Sequence, residues 1–314
     1  MATIKPFNAL RPQQQLSQQV ASKPYDVLNS EEARTEATGN PFSFLHVTKS
    51  EIDLPAGIDI HSQDVYDKAK ENLEQFITNG ILFKEDKPCY YIYQLVMKGR
   101  NQTGLVCASS VDDYFKDIIK KHEFTRPEKE KDRIDHMSTI RAQTGNVFLA
   151  YRDVEAINAI IHDWKYAHQP VYNFTATDGI QHAIWVVNDQ SVIDNITAQF
   201  KASVPCTYIA DGHHRAASAA KVSKSLPDSI EAKYFLTTIF PASQLVILDY
   251  NRVVKDLNGL SAAKFLGLLQ DDFYITHSPE PVKPAQLHEF GLYLDSKWYI
   301  LTARTGPWNA DPIG

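Results

Sequence analysis

Apolar residues recur along this chain with two periods. Between residues 64 and 76, Val65, Ala69, Leu73 and Phe76 return at the spacing of one helix face, and Asn79-Gly80 follows as a stop signal. Ile157, Ile160, Ile161 and Trp164 mark the buried face of a second amphipathic helix over 154–164, and 191–200 and 261–269 read the same way. Shorter helices are expected over 112–121 and after Ser30, whose hydroxyl precedes Glu31-Glu32 as an N-cap.

Period-two and short apolar runs predict strands at 44–47, 81–83, 89–97 and 105–109, the last three joined by tight turns as a meander. Further strands are expected at 147–151, 233–240, 245–250, 273–276, 290–294 and 298–302. Runs 171–177 and 180–187 flank Asp178-Gly179, which predicts a hairpin with a two-residue turn. Prolines at 6, 12 and 24 make residues 4–27 an irregular leader with one helical turn and no strand. The sum is a mixed α/β (α+β) fold with antiparallel-rich sheets. A boundary near 143–147 would divide it into an N-terminal region, 1–145, and a C-terminal region, 146–314.

One stretch carries chemistry. The β-forming run 207–210 stops at Asp211-Gly212; His213, His214 and Arg215 follow, and then Ala216, Ala217, Ser218, Ala219 and Ala220. This predicts strand, tight turn and helix. The first turn of a helix leaves backbone N–H groups unpaired and carries partial positive charge, so it favours anions, phosphate above all. Gly212 removes a Cβ from that approach, the two histidines add donors, and Arg215 adds a planar fork. Asp211 repels phosphate unless a metal or a transferred proton lies between them, which makes it a candidate metal ligand or proton acceptor. The alternative is an N-capping aspartate beside two surface histidines.

A second block runs from His122 to Ile140. Thr125 and Glu128 have capping-box spacing, and Pro127 sits in the first turn. At about 100° per residue Arg126, Lys129, Arg133 and His136 share one stripe, which borders the apolar stripe of Ile134, Met137 and Ile140 instead of opposing it. A basic stripe in that position suits a groove wall; ion pairing with Glu130 is the alternative. His122-Glu123 does not extend to the HExxH zinc motif, because position 126 is Arg. Asn251 and Arg252, expected at the end of the 245–250 strand, are candidates to reach a cleft.

The Asp211-Gly212-His213-His214-Arg215 turn resembles the phosphate-binding signature of the ParB and sulfiredoxin superfamily, whose members include an archaeal ADP-dependent free serine kinase. More of the chain resembles the domain-of-unknown-function 1015 family. The blocks that carry this are Lys23-Pro24-Tyr25-Asp26-Val27, Asn40-Pro41-Phe42-Ser43-Phe44-Leu45-His46-Val47, the stretch from His122 to Arg133, the Asp211 turn, and Leu248-Asp249-Tyr250-Asn251-Arg252-Val253-Val254. Lys23 departs from the family pattern, which has a second proline there. The resemblance also implies a glycine-rich block beyond Trp308 to Gly314.

The superfamily likeness implies a ParB/sulfiredoxin-like fold and a nucleotide-dependent phosphotransferase acting on a small hydroxylated metabolite such as serine, with ATP or ADP as co-substrate and Mg²⁺ as cofactor. Gly212, His213, His214 and Arg215 would hold nucleotide phosphates, and Arg126, Lys129 and Arg133 would neutralise the transferred group. Asp211 would bind Mg²⁺ or accept the hydroxyl proton, with Glu123 or Asp26 as the other bases. Tyr25, His122, Asn251 and Arg252 would line the substrate site. A non-catalytic nucleotide-binding regulator and a metal-dependent phosphohydrolase with histidine ligands are the alternatives.

Composition narrows the partners. With 43% hydrophobic and 22% charged residues the chain is ordinary globular material. A net charge of −6 gives no global attraction to nucleic acid or to an anionic membrane, so phosphate must be held by local basic groups. Cys89, Cys107 and Cys206 form no CxxC pair and read as buried thiols in a reducing compartment. No run approaches the ~20 apolar residues of a membrane span. A cytoplasmic protein is expected, with small-molecule ligands, no nucleic acid and no membrane; a homo-oligomer is left open.

Overall fold

The computed structural model describes residues 1–304 and 306. The terminal stretch from Trp308 to Gly314 lies outside the described residues. The chain forms two compact units, Met1–Leu245 and Val246–Gly314, so the division falls well beyond the expected 145/146 boundary.

In the first unit β1 (Ile4–Lys5) and β2 (Leu10–Pro12) precede α1 (Ser17–Val20), α2 (Ser30–Ala37), α3 (Leu45–Thr48) and the amphipathic α4 (Gln63–Thr78). Then come β3 (Leu82–Lys84), β4 (Tyr90–Met97), β5 (Arg100–Ser110), α5 (Val111–Phe115), β6 (Ile119–Lys120), α6 (Pro127–Ile140) and β7 (Val147–Tyr151). Helix α7 (Glu155–Ala167), hairpin β8 (Tyr172–Thr175) and β9 (Gln181–Val187), α8 (Gln190–Ser203), β10 (Thr207–Asp211), α9 (His213–Ser225) and β11 (Tyr234–Pro241) complete it. The second unit holds α10 (Ala262–Leu269) and a three-stranded antiparallel sheet of β12 (Phe273–Ser278), β13 (Glu289–Leu294) and β14 (Lys297–Ala303), with β14 central.

The fold is mixed α/β. Nine strands form one sheet in the order β6-β10-β7-β11-β5-β4-β9-β8, with β1 added against β5. Pairs β6–β10 and β7–β11 are parallel and the rest antiparallel. Strands from both sides of residue 145 therefore share one sheet. On one face Tyr90, Ile92, Leu105, Cys107, Leu149 and Ile209 pack against Ile157, Ile161 and Trp164 of α7, Ile196 and Phe200 of α8, and Ala216, Ala219 and Ala220 of α9. Each large side chain buried there contributes about 1.5–3 kcal/mol. On the other face Cys89, Tyr91 and Val106 meet Phe7 and Ala9 of the leader. Coverage on both faces explains why β4 alternates imperfectly.

Several local expectations are corrected. Residues 44–47 are helical: Leu45 and Val47 enter two different apolar clusters, and a short apolar run does not by itself distinguish strand from buried helix. The leader supplies two short strands, because β1 finds an edge on β5 and β2 pairs with β3. That second pairing takes β3 out of the meander. Asn29, not Ser30, caps α2, in a capping box with Glu32, while the Ser30 hydroxyl donates to Glu51. Thr125 bonds to Glu130 instead of capping α6, whose N-cap is Arg126. The 176–180 connection is a three-residue loop in which only Gly179 has positive φ. Residues 245–250 form no strand; β11 ends in the helical turn Ala242–Gln244, and this apolar run has no ladder partner among the described residues.

Candidate functional site

Strand β10 buries Thr207 and Ile209 and exposes Tyr208 and Asp211. Its register against β7 shifts between Ile209 and Asp211, an irregularity that redirects the chain at the strand's end. Gly212 follows with φ 94° and ψ 29° and is the N-cap of α9. A Cβ at Gly212 would lie 3.3 Å from the Val147 Cα and 3.4 Å from the Arg215 Cζ. The first intrahelical bond runs from the Ala216 N–H to the Gly212 carbonyl. The N–H groups of His213, His214 and Arg215 have no acceptor among the described residues, and no side chain caps the helix. Asp211 is thus not an N-cap. The small residues 216–220 are buried against the sheet, which fixes this first turn in place.

Arg215 folds back over the turn. Its Nη2 donates to Asp211 Oδ2 at 2.6 Å and to Asp26 Oδ2 at 3.2 Å, and its Nη1 donates to the Asn146 carbonyl. Burial works against this charge, but the Asp211 and Asp26 carboxylates more than offset it and hold the guanidinium pKa above its ordinary value. Arg133 of α6 reaches the same place: its Cζ lies 3.9 Å over the Tyr25 ring, and its Nε donates to Asp132 Oδ2 at 2.7 Å. Asp132 also accepts from the Tyr66 hydroxyl at 2.9 Å and lies 2.9 Å from His61 Nδ1. Burial pushes the Tyr25 phenol pKa up. Tyr25, Arg133, Arg215 and the 143–145 turn line a cavity of about 30 Å³, room for one or two waters. Arg215 of α9 and Arg133 of α6 therefore meet at one small cleft under Tyr25.

The α6 stripe does not act as one wall. Arg126 and Lys129 are exposed, with no side-chain hydrogen bond or ion pair among the described residues. His136 is buried; its ring nitrogen bonds to the Val47 carbonyl, and burial followed by the nearby Arg133 charge pushes its pKa down to about 4. Glu130 pairs with Lys221 of α9 and not with Arg126 or Arg133.

On the other side of the α9 turn, His213 is buried and its ring packs edge-on against His122 at 4.4 Å. The His122 backbone N–H donates to His213 Nε2 at 3.4 Å. Burial, and then the His122 charge, lower the His213 pKa. A neutral ring whose Nε2 accepts must carry its proton on Nδ1, which lies 3.4 Å from Glu123 Oε2. The exposed Glu123 carboxylate thus lies beside this N–H, at ion-pair distance without hydrogen-bond geometry. The His214 Nδ1 is buried without a partner among the described residues.

Asn251 and Arg252 belong to the second unit, exposed in chain without regular structure, with Arg252 stacked 3.9 Å over Tyr250. Sequence reasoning missed Asp132, which aims Arg133, and Asn146, whose carbonyl anchors Arg215. Asp132 was legible only as one acid in a charged helix. Among the described residues no three His, Cys, Asp or Glu side chains gather to hold a metal. Asp211 alone could still serve Mg²⁺, which is commonly held by one or two carboxylates and completed by phosphate oxygens and water. No helix among the described residues is long and apolar enough to cross a membrane.

Over residues 4–313 the chain matches a family described as a protein of unknown function, DUF1015. The chain belongs to the DUF1015 family. No curated protein and no solved structure matches it. The matched span includes both units and every block that carried the resemblance, so both sides of the cleft lie within the family's extent.

Proposed function

We propose that this DUF1015 member is a nucleotide-dependent phosphotransferase acting on a small hydroxylated metabolite such as serine, in a cytoplasmic setting. The observation that carries the reading is the open first turn of α9, with three unaccepted N–H groups between Arg215 and the Glu123 carboxylate. The likeness of Asp211 to Arg215 to the ParB/sulfiredoxin signature, with its free serine kinase, supports it. Phosphoryl transfer asks a protein mainly for positioning and charge neutralisation, and this turn offers both.

Of the three carboxylates considered as base, Asp211 and Asp26 are each paired with Arg215, whereas Glu123 faces a neutral imidazole. Glu123 is therefore assigned as base. It takes the proton of the acceptor hydroxyl as that oxygen attacks the terminal phosphorus and the bond to the nucleotide's leaving phosphate breaks. The His213 Nδ1–H, 3.4 Å away, is placed to turn onto the carboxylate when substrate binds. The backbone N–H groups of His213, His214 and Arg215 cradle the phosphates, Gly212 leaves room for their approach, and the Arg133 and Arg215 side chains supply positive charge. Mg²⁺, when bound, would add charge neutralisation at Asp211 and the phosphate oxygens.

A non-catalytic nucleotide-binding role is the second reading, favoured by the engagement of Arg215 with Asp211, Asp26 and Asn146. The test is calorimetric titration with ATP, ADP and CTP, with and without Mg²⁺, on wild type and on Arg215→Ala. Binding that is lost in the variant supports the assignment of the phosphates to this turn. No heat with any nucleotide removes nucleotide dependence.

A further inference from the structure

The leader segment that crosses the cleft is built like a strap. Val20 is buried in one apolar cluster and Leu28 packs against another, while residues 21–27 between these anchors are mostly exposed. Among the described residues the backbone of 22–27 makes one hydrogen bond, from the Val27 N–H to the Pro24 carbonyl, and Lys23 pairs at the surface with Glu36. What holds the strap down is two side chains: Tyr25, under the Arg133 guanidinium at 3.9 Å, and Asp26, on Arg215 Nη2 at 3.2 Å. Each is gripped by an arginine from a different helix, α6 and α9.

Those two arginines are independently fixed. Arg133 is aimed by Asp132, itself held by Tyr66 and His61; Arg215 is fixed by the Asn146 carbonyl and by Asp211. Removing the strap would leave both guanidiniums in place, facing one vacated cleft. The Asp26 carboxylate is an anion on a guanidinium, the same chemistry a phosphoryl oxygen would bring. Its contact is the longer of the two carboxylate bonds to Arg215, 3.2 Å against 2.6 Å for Asp211, and it comes from a segment with little backbone bonding, so it is the one a competitor displaces first.

We propose that the Tyr25–Asp26 turn is a built-in competing ligand: it occupies a two-arginine site for a phosphoryl group, Arg133 and Arg215, and is displaced when that group binds. This rests on the phosphotransferase reading and adds an order of events, in which the leader opens as the anion enters. Segments held by few backbone bonds open at low local cost, as such a strap requires. It also reverses the role considered for Asp26 as a base: Asp26 competes with the phosphate and does not act on the acceptor.

The test pairs hydrogen exchange with titration, using inorganic phosphate and ADP as probes. In wild type, saturating probe should speed exchange of the Val27 amide, the bonded N–H of residues 22–28, while slowing exchange at the start of α9. Asp26→Asn should bind inorganic phosphate on the order of fivefold more tightly, the worth of one partly exposed ion pair. The gain should persist at 1 M salt, where long-range repulsion is screened within about 3 Å. Binding that protects the Val27 amide, or leaves its exchange unchanged, overturns the strap while the anion site stands. A gain that vanishes at 1 M salt also overturns displacement, since it reduces Asp26 to a distant repelling charge. If neither wild type nor Asp26→Asn binds either probe, the phosphotransferase reading falls together with the strap.

Discussion

Replacing Gly212 by alanine tests the geometry at the centre of the site. The residue has φ 94°, in the left-handed region, where a side chain costs about 1–2 kcal/mol. The new methyl would also stand 3.3 Å from the Val147 Cα, a backbone atom that can yield only if the start of β7 moves, and 3.4 Å from the Arg215 Cζ. Overpacking of this kind adds about 1–3 kcal/mol. Gly179 provides the reference: its φ is +81°, and nothing lies within 4 Å of its Cβ position. Gly179→Ala should therefore show the conformational cost alone, about 1–2 kcal/mol, and Gly212→Ala about 2–5 kcal/mol. Urea unfolding followed at β7 and β10 amides reads both, with the midpoint falling and the slope unchanged. Equal losses in the two variants would refute the close packing of Val147 and Arg215 on the turn.

Other consequences can be measured separately. His136 is held near pKa 4, below its ordinary 6.5, so the unfolded chain binds more protons between those values. Its contribution is complete above pH 6.5 and is lost as pH falls through about 4, a loss of about 3 kcal/mol that His136→Gln should abolish in urea midpoints taken from pH 7 to 4. His46 has the opposite sign. Its Nδ1 lies 2.8 Å from Asp53 and its Nε2 3.2 Å from the Asn40 carbonyl, both acceptors, so the ring is an imidazolium, and the Asp53 bond raises its pKa. That stabilisation is present below pH 6.5 and is lost as pH rises through the raised value; NMR titration of the ring nitrogens should show the upward shift, and an ordinary value would contradict the paired geometry. Asn29→Ala removes the side-chain oxygen that accepts from the Glu31 and Glu32 N–H groups, leaves the backbone N–H bond to Glu32, and should cost about 0.5–2 kcal/mol in thermal unfolding.

Much of this architecture could be read from residue order because local and tertiary preferences agree. The faces of α4, α7 and α8 follow helical spacing, and Asp211-Gly212 followed by small residues gave strand, turn and helix. The misreadings fall where a distant partner decides. Ile4 and Leu10 become strands only because β5 and β3 offer edges, and the 245–250 run finds no ladder. The site was partly legible for the same reason. The anion-favouring turn is local, whereas the inward turn of Arg215, the split of Arg133 from Arg126 and Lys129, and the approach of Glu123 to His213 depend on side chains far apart in the chain. Spacing on one helix cannot foresee that His136 is buried with a ring nitrogen on the Val47 carbonyl.

The central claim is phosphoryl transfer with Glu123 as base. Its most direct test is phosphorus NMR of the full chain with Mg²⁺ and ATP or ADP, in the presence of serine and related hydroxylated metabolites, beside Glu123→Gln. A new phosphomonoester signal that forms with wild type and is lost in the variant, while calorimetry shows nucleotide still bound, is the predicted result. Nucleotide bound with no phosphomonoester from any acceptor, or product formed equally by Glu123→Gln, would contradict it.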